Sequence, residues 1–149
     1  MTYLLDANVV FALVWSLHEH HVRAHAWMDN LGEQRWATNP LIDLAVLRLL
    51  LNPKITQGVF SAKSAHAVVM GLQSHPRYEG WCLPGSLAEK LAPLVHKIRG
   101  HQQWNDAALL ADTVDRKGVL VTFDNGFVDL AGSAWAEHVQ VLASRATLP

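Results

Sequence analysis

Apolar residues fall along this chain in two patterns. Some form short unbroken runs of three or four, and others recur every three to four positions through longer stretches. Short runs suit strands buried on both faces, and the longer period suits amphipathic helices. "TYLL" at 2–5 reads as a buried strand that stops at Asp6, and Ala7 to Val14 as a helix that Asp6 or Asn8 can cap. His20 to Leu31 is a second helical pattern, with Val22, Ala26 and Trp27 on its apolar side, Arg23 and His25 toward solvent, and Gly32 as its stop. "RWAT" at 35–38 is the next strand, after which Asn39 as cap and Pro40 at the first helical position open a helix that Asn52-Pro53 closes. A further helix spans Ser61 to Gln73, and "HPRYEG" at 75–80 is a loop before a strand at Trp81 to Leu83. "SLAE" at 86–89 has capping-box spacing and starts a helix to about Ile98, which Pro93 complicates. The last elements are a helix from Gln103 to Lys117 ended by Gly118, strand 119–122, a short turn or helix, and a strand near His138 to Leu142.

Strands separated by helices of this length predict an α/β fold, a mostly parallel sheet covered on both faces. At 149 residues, without repeats, low-complexity tracts or a linker, residues 1–149 are expected to be one domain. Twelve basic and 13 acidic residues leave a formal charge of -1, which excludes a broadly basic nucleic-acid surface but not a local patch. The single Cys82 excludes an internal disulfide and is expected to be buried and inert. No leader pattern and no apolar run of membrane-spanning length is visible, so a cytoplasmic protein with no membrane association is expected.

Four acids interrupt these patterns. Asp6 follows the first strand and Asp124 follows "VLVTF", so both belong to the carboxyl edge of the sheet, where ligands of such folds gather. Asp43 shares a helix face with Val46, Leu47 and Leu50, and Asp106 shares one with Leu109, Leu110 and Thr113. Asp112 and Asp115 fall on the other side of that helix, where an acid needs no explanation. Each acid also has an ordinary reading: Asp6 as an N-cap, Asp43 and Asp106 as first-turn acids favoured by the helix dipole, and Asp124-Asn125-Gly126 as a turn. Four carboxylates at one edge would repel one another, and a magnesium or manganese ion offsets that repulsion. One metal or two is left open, as is a water held by Asp124 and Thr122.

With these residues in view, the chain resembles the PIN-domain ribonucleases, specifically the VapC-type toxins of bacterial toxin–antitoxin pairs. "LLDANV" at 4–9, "NPLIDLAVLRLLLNP" at 39–53, "HQQWNDAALLA" at 101–111 and "VTFDNGF" at 121–127 are similar to the family's four blocks, in order. The resemblance implies a three-layer α/β/α sandwich and a catalytic, metal-binding quartet of Asp6, Asp43, Asp106 and Asp124, with Asn8, Asn105 and Thr122 in support. It also implies magnesium or manganese as cofactor, RNA as substrate cut to leave a 5′-phosphate, a cognate antitoxin as partner, and a homodimer. One position departs from the pattern: the second acid is usually Glu and is Asp43 here.

Other residues draw weaker readings. His21 and His25 are an i,i+4 pair without the acid of a zinc motif, and a solvent-facing helix explains them better. Trp104 beside the third acid suits packing or a stacked base, and Arg48, Lys54, Arg77, Arg99 and Arg116-Lys117 suit surface charge better than phosphate contacts. "GLQSHPRYEG" at 71–80 is read as a plain loop, polar enough to rim a site. The apolar helices around 44–51 and 65–72 suit a dimer face or a larger core. Two rivals to the nuclease remain: a catalytically silent PIN-like binding module, and an aspartate-dependent phosphatase, for which Asp6-Ala7-Asn8 lacks the second acid.

Overall fold

A computed structural model describes residues 1–83 and 85–142, so the domain expected over 1–149 runs past the described residues at its end. Five strands form one sheet: β1 (Thr2–Leu5), β2 (Arg35–Thr38), β3 (Tyr78–Gly80), β4 (Val119–Thr122) and β5 (Val139–Val141). Their order is β3-β2-β1-β4-β5, and each neighbouring pair is parallel. Helices α1 (Ala7–Val14), α2 (His21–Asp29), α3 (Pro40–Leu51), α4 (Pro53–Thr56) and α5 (Ala62–Gln73) pack on one another around α1 and α3. Helices α6 (Leu87–Leu91), α7 (Gln103–Asp115) and α8 (Gly126–Ala131) form a second group around α7. Right-handed crossovers put the two groups on opposite faces, which is the expected α/β/α sandwich. The centre of the sheet is dry: Leu4, Leu5, Leu120 and Val121 are fully buried, as strands covered on both sides must be.

The chain winds outward from β1 to β3 on one side, then returns to place β4 on the other side of β1. In sheets of this kind the place where the order reverses, beyond the carboxyl ends of β1 and β4, is the usual ligand position. Because α3 follows β2 and α7 precedes β4, the N-termini of both helices lie at this same edge.

Several elements differ from the expectation. The third strand is Tyr78–Gly80, three residues before the anticipated "WCL", and pairs with β2 from Trp36 to Thr38. An edge strand needs no apolar run, and the absence of one concealed it. Trp81 is buried off the sheet, against Gly118 and under the guanidinium of Arg116, while Cys82 is exposed rather than buried. The helix expected to reach Ile98 ends at Leu91 and continues as a 3₁₀ segment through Lys97, because Pro93 cannot donate to an α-helical ladder. A short α4 follows Asn52-Pro53, with the Asn52 side chain capping Lys54. In α2 the buried residues are Ala24 and Trp27, and Val22 is exposed. At the end of α7 the left-handed position is taken by Lys117, not Gly118. Gly118 serves close approach instead, since a Cβ there would meet the Thr2 carbonyl at 2.8 Å and the Trp81 ring at 3.0 Å.

Asp112 is the largest correction. It is 0% exposed, because α7 is buried nearly all round between the sheet and its helical neighbours. Its Oδ1 accepts from Arg116 Nε at 3.2 Å with Lys90 Nζ at 3.9 Å, and its Oδ2 accepts from Asn39 Nδ2 at 3.4 Å. Arg116 also donates to the Cys82 carbonyl at 2.6 Å, so it is a structural residue and not a free phosphate contact. Removing a buried partner leaves the others uncompensated, so Asp112→Ala should lower unfolding free energy by about 3 kcal/mol in denaturant titrations. A loss below about 1 kcal/mol would mark the cluster as no stronger than a surface pair.

Candidate active site

Asp6 is the most buried of the four acids, at 8% exposure. It caps α1 through Oδ1, which accepts from the Ala7 amide at 2.7 Å, and its Oδ2 accepts from the Thr122 hydroxyl at 2.7 Å. The cap and a place at the carboxyl edge are therefore compatible. Thr122, the last residue of β4, in turn accepts from Asn8 Nδ2 at 3.2 Å and from the Asp124 amide at 3.0 Å. Asn8 Oδ1 accepts from the Phe123 amide at 3.3 Å, which ties α1 to the chain leaving β4. Asp124 Oδ1 accepts from the Gly126 amide at 2.8 Å, so the turn expected at Asp124-Asn125-Gly126 forms and fixes that carboxylate.

Electrostatics links three of the acids. Asp106, in the first turn of α7, has its pKa pushed up to about 6 by burial and then by the charges of Asp6 and Asp124. Asp6 is also raised, chiefly by burial and slightly by Asp124, against the lowering effect of its hydrogen bonds from Thr122 and Ala7. Among the described residues no ion pair involves any of the four acids. Asp43 belongs to a separate hydrogen-bonded group. Its Oδ1 accepts from the Thr38 hydroxyl at 2.7 Å and from Gln73 Nε2 at 3.0 Å, while the Tyr78 hydroxyl lies 3.0 Å from Thr38 Oγ1. Burial raises the Tyr78 phenol, and the Asp43 charge raises it further. Gln73 and Tyr78 come from the segment 71–80, read as a plain loop polar enough to rim a site; Gln73 ends α5 and Tyr78 starts β3.

The remaining candidates are distributed around this edge. Asn105 is exposed beside Asp106 and takes no part in these hydrogen bonds. Trp104 is 45% exposed, so it does not serve as core. His21 Nδ1 and His25 Nε2 lie 2.7 Å and 2.9 Å from the carbonyls of Ala12 and Leu13 and donate to them, closing the end of α1 rather than holding a metal. His20 stacks on Phe123 with ring centroids 4.4 Å apart. Among the described residues no group of three or more His, Cys, Asp or Glu is gathered closely enough to hold a metal ion. Oxygens of Asp6, Asp43 and Asp124 are each already used by internal donors. The donor set is nonetheless all carboxylate, which is the chemistry magnesium and manganese take.

No family-wide sequence model matches the chain. Ribonuclease VapC38 of Mycobacterium tuberculosis is 36% identical over 140 residues, 93% of this chain and 96% of that protein. The chain belongs to the VapC family. Ribonuclease VapC44 of the same species is 32% identical over 145 residues, 95% of this chain and all of that protein. The fold of this VapC-family chain agrees with VapBC2 from Rickettsia felis, solved bound to a DNA fragment from its promoter. That match has a TM-score of 0.63 at 15% identity, covering 87% of this chain and 93% of the other. VapC20 of Mycobacterium tuberculosis, a toxin that cleaves the sarcin–ricin loop, matches with TM-score 0.63 and 15% identity over 84% and 92%. Membership supports a nuclease role and PIN-type architecture. Among the described residues no helix is long and apolar enough to cross a membrane.

Asp106 generates a pH prediction. A carboxyl raised from 3.8 to about 6 in the folded state contributes stability that is full below pH 3.8 and lost as pH rises through about 6. Titration of side-chain carboxyl carbons by NMR, without divalent metal, should find Asp106 near 6, and Asp124→Asn should move it down. The melting temperature of Asp106→Asn should lack the part of the wild-type decline that falls in this window. An Asp106 that titrates with ordinary carboxylates would contradict the convergence.

Proposed function

We propose that this VapC-family chain is a magnesium- or manganese-dependent endoribonuclease, the toxin of a toxin–antitoxin pair. The observation that carries this reading is unbalanced negative charge at one edge of the sheet. Asp6, Asp106 and Asp124 come from three distant segments, and burial, followed by the charges of Asp6 and Asp124, lifts Asp106 to about 6. Oxygen-rich, negatively charged sites are those that hard divalent cations prefer. Asp6, Asp106 and Asp124 would hold the ion, with Asp43 as a fourth donor. When bound, the ion lowers the pKa of water and neutralises the charge that builds on the phosphodiester.

The chain's own groups then have separate tasks. Thr122 orients Asp6 through Oδ2 and favours its ionised form against burial, and Asn8 keeps Thr122 in place. Asn105 offers an amide to a phosphate oxygen, and the exposed face of Trp104 offers a stacking surface to an RNA base. By likeness to the family, water would attack phosphorus with the 3′ oxygen leaving, so that the cut keeps a 5′-phosphate. A cognate antitoxin placing a basic side chain at the acids would quench their charge. Leu44, Leu51 and Met70, exposed on the packed pair α3 and α5, suit a homodimer.

The test is RNA cleavage by purified protein with magnesium, with manganese and with chelator, beside Asp6→Asn. Cleavage should need the metal, and Asp6→Asn should lower the rate by more than about 100-fold, beyond the usual effect of losing a mere supporting group. Cleavage that survives both chelation and the substitution would overturn the mechanism. Intact RNA under both metals, with a basic peptide still bound, would favour the silent binding module.

A further inference from the structure

Asp43 accepts two hydrogen bonds at a single oxygen of its carboxylate, from Thr38 and from Gln73, and Tyr78 backs Thr38 from behind. Thr38 closes β2, Gln73 closes α5 and Tyr78 opens β3; Thr38 and Gln73 reach Asp43 in the first turn of α3, and Tyr78 reaches Thr38. The direction of each bond follows from counting protons. An ionised carboxylate only accepts, so the one hydroxyl proton of Thr38 goes to Asp43 Oδ1. Thr38 Oγ1 then has only lone pairs left for Tyr78, and the phenol must be the donor. Gln73 Nε2 supplies a second proton to the same Oδ1. Thr38 is 1% exposed, so water does not compete for its hydroxyl. Among the described residues Asp43 Oδ2 accepts no hydrogen bond.

We propose that Tyr78, Thr38 and Gln73 are positioning residues that saturate Oδ1 of Asp43, lock its rotamer and reserve Oδ2 for a divalent cation or the cation's water. The proposal rests on the metal-dependent reading above. Partners of this kind, one step removed from a metal, commonly change affinity by about 10–100-fold when lost.

Binding of Mn2+ alone, measured by calorimetry on the full chain, separates this role from a merely structural one. Thr38→Val and Gln73→Leu should each weaken Mn2+ binding by about tenfold, with Tyr78→Phe weaker in effect because it acts through Thr38. Thr38→Ser, which keeps the hydroxyl, should bind as the wild type does. Melting temperatures are recorded alongside, and Gln73→Leu, which alters a half-buried side chain at a helix end, carries the test if Thr38→Val does not fold. Wild-type affinity in folded Thr38→Val or Gln73→Leu would overturn the positioning role and leave the metal reading standing. A wild-type protein that takes up no Mn2+ would overturn both.

Discussion

Asp6 is a carboxyl group kept almost out of water, and the carboxyl edge of the sheet is arranged around keeping it there. Burial favours its neutral form, and the Thr122 hydroxyl and Ala7 amide favour the ionised one. The Ala7 amide comes with the cap of α1, but the Thr122 hydroxyl is there only because β1 and β4 are neighbours in register, with Leu5 opposite Val121, so that Thr122 arrives beside the residue after β1. The backbone adds its own tie, since the Asp6 amide donates to the Val121 carbonyl at 2.9 Å. Once that carboxylate is in place, Asp106 and Asp124 cannot approach without mutual repulsion. The resulting excess of negative potential is the property on which any chemistry at this edge depends.

The same device occurs twice. β2 and β4 flank β1, each ends in a buried threonine, and each threonine donates its hydroxyl to an acid at the edge. Thr122 serves Asp6 across the sheet, while Thr38 serves Asp43 five residues later in its own segment. A β-branched residue with a hydroxyl suits both demands, since its rotamer is narrow in a strand and its proton is available at the end of one.

Legibility in the sequence followed the range of the forces involved. α1, α3 and α5 were legible because capping residues lie next to the helices they cap, and β1 and β4 because strands covered on both faces are continuous apolar runs. The standing of Asp6 and Asp124 after strands, and of Asp43 and Asp106 at helix starts, could be read from the same order; what these acids hold could not. β3 escaped because three residues at an edge, a tyrosine, a glutamate and a glycine, carry no periodicity. Asp112 was misread because helical phase assumes one covered face, and α7 has more than one. Gln73 and Tyr78 left no trace near Asp43, being 30 and 35 residues away in the chain, and only the fold brings them there.

Asn39 illustrates how burial can choose between two residues that a helix treats alike. As an N-cap, asparagine and aspartate are nearly equal, and its Oδ1 accepts from the Ile42 amide at 3.1 Å as either would. The other end of the amide faces Asp112, on a helix of the opposite layer. An aspartate there would set two carboxylates against each other in the interior, whereas the amide presents an acceptor to one layer and a donor to the other. The identity of a residue that looks like ordinary helix punctuation is therefore dictated from across the sheet, by an acid 73 positions later.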